Sequence, residues 1–123
     1  MGVLSEAEMA VYRATARRRR ELDEQELTAR RQRAWEAARR AAMLLREDFG
    51  AERVVVFGSL LRPHSFNKWS DVDIAAWGIS SKDTFRALGA VMDLSADIEM
   101  NFVDIETCHA ALRATIEREG QDI

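Results

Sequence analysis

The chain reads as an α+β fold: a small mixed β-sheet covered by helices, preceded by a long N-terminal helix. Three observations predict this. Residues 6–48 contain neither Pro nor Gly and are dominated by Ala, Arg, Glu and Leu, a composition that favours helix. Three short oily runs have the length and residue types of strands: RVVVFG (53–58), DVDIAAW (71–77) and ADIEMNFVDI (96–105). Helical patterns follow the second and third of them, SSKDTFRALGAVMDLS (80–95) and TCHAALRATIEREG (107–120). With 123 residues there is room for one modest core and no separate substrate domain.

The first helix opens on SEAE (Ser5 to Glu8), a capping box in which the Ser hydroxyl serves a backbone N–H one turn on. Met9, Tyr12 and Ala16 make a short apolar stripe, and Trp35, Ala38, Ala41, Ala42 and Leu45 make a fuller one. The stretch between them, RRRRELDEQELTARRQR, is almost wholly polar. The pattern predicts one very long helix, or two with a break near residues 17–26. It divides the chain into a helical extension (1–34) and a folded domain (35–123), with the extension polar enough to project or to meet another chain. Gly50 is the expected stop. The run at 53–58 is a short β-branched strand buried on both faces. SLLRPHSFNKWS (59–70) is a turn or short helix and then a loop, marked by the only proline, Pro63. Phe85, Leu88, Val91 and Met92 recur at helical spacing, and Gly120 ends the last helix. Trp35 and Trp77 read as core, Trp69 as packing over its loop, and Cys108 as a core or half-buried thiol.

Composition excludes several classes. The net charge of −3 is unlike that of a basic nucleic-acid binder, and direct nucleic-acid binding is not expected. Residues 1–50 carry 11 Lys+Arg against 9 Asp+Glu, and residues 51–123 carry 7 against 12. The acidic excess therefore lies in the domain, where it suits cation binding. The run RRRR at 17–20 spreads over all faces of a helix and reads as solvated. No apolar run approaches the roughly 18 residues of a membrane span. The N-terminus lacks a basic region followed by an oily one, and a single cysteine excludes an internal disulfide. The expected location is cytoplasmic, with no membrane association.

The chemistry concentrates in VVVFGSLLRPHSFNKWSDVDIAAWG (54–78). Strand side chains alternate, so Asp71 and Asp73 point one way while Val72 and Ile74 point into the core. Two carboxylates on one face, about 7 Å apart at Cα, repel unless a cation lies between them. Oxygen ligands without His or Cys suit a hard divalent cation, Mg²⁺ or Mn²⁺. Gly58 ends a buried strand and permits close approach to a ligand, and Ser59 opens the next segment with an N–H and a hydroxyl. A phosphate cradle beside a carboxylate pair is the equipment of phosphoryl transfer. Neither a Walker loop nor a nucleophile elbow is present.

Gly58-Ser59, eleven residues, then Asp71-Val-Asp73: at this spacing the chain resembles the nucleotidyltransferase superfamily of the DNA polymerase β type, and within it the minimal nucleotidyltransferase group. The likeness covers roughly residues 36–120. Arg62 stands where the family often carries an Arg, Pro63 replaces the usual Gly, and LRATIEREG resembles the terminal helix of the short members. The resemblance implies a polymerase β-like core in which Asp71 and Asp73 hold two metal ions that bind the ATP triphosphate and the attacking hydroxyl, with a third carboxylate on the neighbouring strand. Counting back from LRATIEREG puts that third position at Asn101, which cannot act as a base. Glu99, one pleat away on the same face, is the candidate for both metal binding and catalysis, with Asp97 or no residue as the alternatives. Gly58, Ser59, Arg62, Lys68 and Ser70 are the expected nucleotide contacts. The resemblance further implies transfer of AMP from ATP to a hydroxyl, a tyrosine of a HEPN-type toxin, for which the chain is the antitoxin. The alternative is a catalytically weak or inactive module that neutralises a toxin by binding alone. The N-terminal helix is the expected surface for homo- or hetero-oligomerisation.

Overall fold

A computed structural model describes residues 2–123. Helix α1 runs unbroken from Glu6 to Phe49, 44 residues, so the polar middle does not interrupt it. The Ser5 hydroxyl accepts the Glu8 N–H at 3.1 Å, as the capping box requires. At the other end Gly50 adopts φ 70°, and its N–H returns to the carbonyls of Arg46 and Leu45. Only the second half of the helix is buried. Ala34, Ala37, Ala38, Ala41, Ala42 and Leu45 form the stripe against the body, and five of these six are alanines. Their small side chains let the helix axis approach the sheet closely. Contact begins at Leu27, and Glu6 to Glu26 lie in solvent except for half-buried Ala16. At 1.5 Å per residue that is a projection of about 30 Å.

The body follows as β1 (Arg53–Phe57), a 3-10 turn (Gly58–Leu61), β2 (Val72–Trp77), a second 3-10 turn (Ser81–Asp83), α2 (Thr84–Met92), β3 (Met100–Asp104), α3 (Ala110–Glu119) and β4 (Gln121–Asp122). The sheet order is β3-β2-β1-β4, with β2 and β3 parallel and the other pairs antiparallel. The third strand starts at Met100 rather than at Ala96, because residues 95–99 form a turn in which the Ser95 hydroxyl accepts the Ile98 N–H. The two-residue β4 has no counterpart among the expected strands.

Both sheet faces are covered, as the doubly buried first strand requires. Val54, Val56, Val72, Ile74, Ala76 and Met100 face α1 and α2 in the larger core. Val55 and Ala75 face the other way and meet Ile105 and Ile116, the latter from α3. Half-buried Cys108 packs there, and its thiol lies 3.6 Å from the Ile105 carbonyl. Trp35 and Trp77 prove to be half-buried rim residues, not core, and the Arg53 guanidinium stacks 4.4 Å from the Trp77 ring centroid. Trp69 is 79% exposed.

Candidate active site

The site lies on the α3 face of the sheet, at the end where β1 stops and β2 starts. Asp73 pairs across the ladder with Phe57, the residue before Gly58, and on its other side lies in register with Asn101 of β3. Asp71 immediately precedes β2. The period of two that puts Val72 and Ile74 in the main core aims Asp71 and Asp73 together to the other side. Both are half-buried.

Gly58 is required twice over at this junction. Its φ of 79° is one that side-chain-bearing residues rarely adopt. A Cβ built there would also collide with the Asp73 carboxylate, 3.3 Å from its Cγ and closer still to Oδ2. The carboxylate of β2 thus rests on the bare backbone where β1 turns. A groove of about 360 Å³ opens beside it, lined by Gly58, Leu61, Arg62 and Glu119.

Asn101 holds the centre of the site. Its Nδ2 donates to Asp71 Oδ2 at 3.2 Å and to Asp73 Oδ1 at 3.1 Å. The amide presents its positive end to both carboxylates and takes the place between them that a cation would take. Burial pushes the Asp73 carboxyl above its ordinary range; the Asn101 hydrogen bond opposes this and the neighbouring Asp71 charge adds to it. A half-buried carboxylate pair with a bridging amide fits a hard cation, because both aspartates supply oxygen and the amide can turn its Oδ1 inward. It also lacks the base that a third carboxylate would supply.

Glu99 does not complete this set. It lies one residue before β3 and is exposed, and its carbonyl accepts the Val72 N–H at 2.9 Å. Asp97 is exposed, and the Ser95 hydroxyl at 3.0 Å, with Arg33 at 3.2 Å, holds its carboxyl low. Among the described residues no three His, Cys, Asp or Glu side chains stand together as a metal cluster.

The other expected contacts divide. Gly58, Ser59 and Arg62 belong to the turn and groove beside Asp73. Ser70 is buried, and its hydroxyl accepts the Asn67 N–H at 2.9 Å while the Asn67 side chain accepts the Trp69 N–H at 2.8 Å. These bonds lock a tight turn, so the Ser70 hydroxyl serves the loop. Lys68 lies 5.3 Å from the Trp69 ring centroid and lines a different groove, with Arg30 and Arg33 of α1. It is therefore not paired with Arg62 over one ligand. Arg30 ties this loop to the helix, donating to the carbonyls of Ser70 and Asp97, both at 3.2 Å. That anchoring was not expected from sequence, because nothing local distinguishes Arg30 from its neighbours.

Compared with known proteins, the chain matches no family model and no curated protein. Among the described residues no helix is long and apolar enough to cross a membrane.

Proposed function

We propose that this protein is a nucleotidyltransferase-fold protein that binds ATP with a divalent cation at Asp71 and Asp73 and transfers AMP to a hydroxyl of a partner protein. The observation that carries the reading is the junction itself: two half-buried carboxylates on one sheet face, one of them seated on the bare Gly58 turn. The cation, Mg²⁺ or Mn²⁺, would be held by Asp71 and Asp73 and would neutralise charge on the triphosphate. Arg62, beside Gly58, is the side chain that would pair with the outer phosphates. Gly58 and Ser59 leave room for the chain's backbone to approach them. In the transfer, the acceptor oxygen bonds the α-phosphorus, pyrophosphate leaves and the hydroxyl proton passes to solvent. The proposed acceptor is a tyrosine of a HEPN-type toxin, which this chain would silence as its antitoxin.

A second reading is favoured by one observation. Asn101, an amide with no basic atom, occupies the position between the carboxylates, and Glu99 stands outside. A site so built would bind a metal nucleotide and transfer slowly or not at all, and the protein would neutralise its partner by binding. The test is incubation of the protein, ATP and Mg²⁺ with the product of a neighbouring toxin gene, followed by intact mass. A gain of one AMP on the toxin, lost in Asp71→Asn/Asp73→Asn, supports transfer. No gain with wild type, together with full neutralisation by that double variant, replaces transfer with binding.

A further inference from the structure

We propose that the outward face of α2 is a self-association surface, pairing two copies of this chain antiparallel about a two-fold axis through Gly89. The helix buries Ala87 and Val91, and turns Phe85, Leu88, Gly89 and Met92 away from that side. These four recur at the i, i+3, i+4, i+7 spacing of a helix-packing face. Phe85 is 85% exposed and Met92 54% exposed, with Leu88 half-buried between them.

Gly89 says what kind of cover fits. A glycine inside a helix costs about 1 kcal/mol relative to alanine. Nothing within the chain requires it: a Cβ at Gly89 would meet no atom within 4 Å. Close approach from outside is what a missing side chain serves. The face is also complementary to itself. An antiparallel copy centred at Gly89 sets Phe85 of each helix against Met92 of the other, a sulfur–aromatic contact. The same placement sets Arg86 against Asp93. Asp93 is exposed and makes no ion pair among the described residues, and Arg86 spends one nitrogen on Asp83 at 3.0 Å. A self-complementary patch is what a two-fold interface needs.

The patch is small beside the about 800 Å² per partner of a standard interface, so association is weak, with a Kd on the order of 10–100 μM. It leaves the carboxylate pair free, because α2 and the candidate site lie on opposite faces of the sheet. The proposal therefore stands apart from the nucleotidyltransferase reading.

The test is sedimentation equilibrium of the full chain over a concentration range spanning that Kd. A monomer–dimer equilibrium is expected. Phe85→Ser should weaken it about tenfold or more with little change in melting temperature, since the side chain is exposed. Gly89→Ala should raise the melting temperature and weaken the dimer, opposite signs that a purely internal role for the glycine does not produce. Arg86→Asp and Asp93→Arg should each weaken association, and the two together should restore it. A chain monomeric throughout the range overturns the proposal. So does a dimer indifferent to Phe85→Ser, or a charge swap that fails to restore association.

Discussion

At the scale of single residues, the site is a balance of charge in which the Asn101 amide bridges two carboxylates. Asp73 has a carboxyl pushed above its ordinary range, chiefly by burial. A raised carboxyl destabilises the fold increasingly as pH rises past the ordinary carboxylate range, and the penalty disappears in acid. Asp73→Asn should therefore raise the metal-free melting temperature at pH 7, by about 1–3 °C, with the gain vanishing near pH 4. A gain equal at both pH values would sink this assignment. Asn101→Asp runs the other way. A third carboxylate beside the pair adds like charge, so the metal-free protein should melt several degrees lower, on the order of 5 °C, and Mn²⁺ should restore it more than it stabilises wild type. Thermal denaturation with and without Mn²⁺ measures both effects. These residues also mark how far the sequence could be read. Alternation placed Asp71 and Asp73 on one face, and a glycine after a buried run located the turn. Spacing points to Asn101, whereas ligand chemistry, which favours a carboxylate over an amide, points to Glu99. Glu99 lies just outside β3, whose start is set by the Ser95 turn, and no periodicity reveals that boundary.

At the scale of elements, the outcome depends on which face an amphipathic segment turns inward. The apolar spacing of α2 was legible, yet its stripe splits: Val91 goes to the core with Ala87, while Phe85 and Met92 face solvent. Composition cannot choose between such faces, because small Ala87 fits the tight space against the sheet and the larger side chains do not. The last strand was illegible for another reason. Two residues carry no pattern, and β4 exists by pairing with Val55 and Val56 and by the clasp of Arg53 on Asp122 at 2.7 Å. That hydrogen bond holds the Asp122 carboxyl low. A lowered carboxyl contributes stability above the ordinary carboxylate range and loses it as pH falls through the folded-state value. Asp122→Asn should flatten the acid limb of the stability curve below about pH 4, leaving a difference of roughly 1–2 °C at neutral pH because both partners are largely exposed. An acid limb unchanged in the variant would mean that β4 is held by backbone pairing alone.

At the scale of the whole molecule, the protein is a three-layered body, helices on both faces of the sheet, on one half of a helix that is twice as long as the body uses. Helical composition without Pro or Gly made the unbroken α1 readable, and the thin apolar pattern before Leu27 made its exposure readable. Most helical stability in proteins comes from packing, which the free half lacks, so it should be the least protected backbone in the chain. Hydrogen exchange should show amides of Glu8 to Glu26 exchanging far faster than those of Ala34 to Leu45. Removing residues 2–24 should leave the melting temperature within about 2 °C, since no buried contact is lost. A fall of many degrees would show that the projection supports the body. There is a practical corollary of the overhang. A rod standing about 30 Å clear of a small body increases frictional drag without adding mass. This chain should emerge early from a gel-filtration column, at the volume of a compact protein well above its own mass, and an elution position alone would mistake one elongated molecule for an assembly.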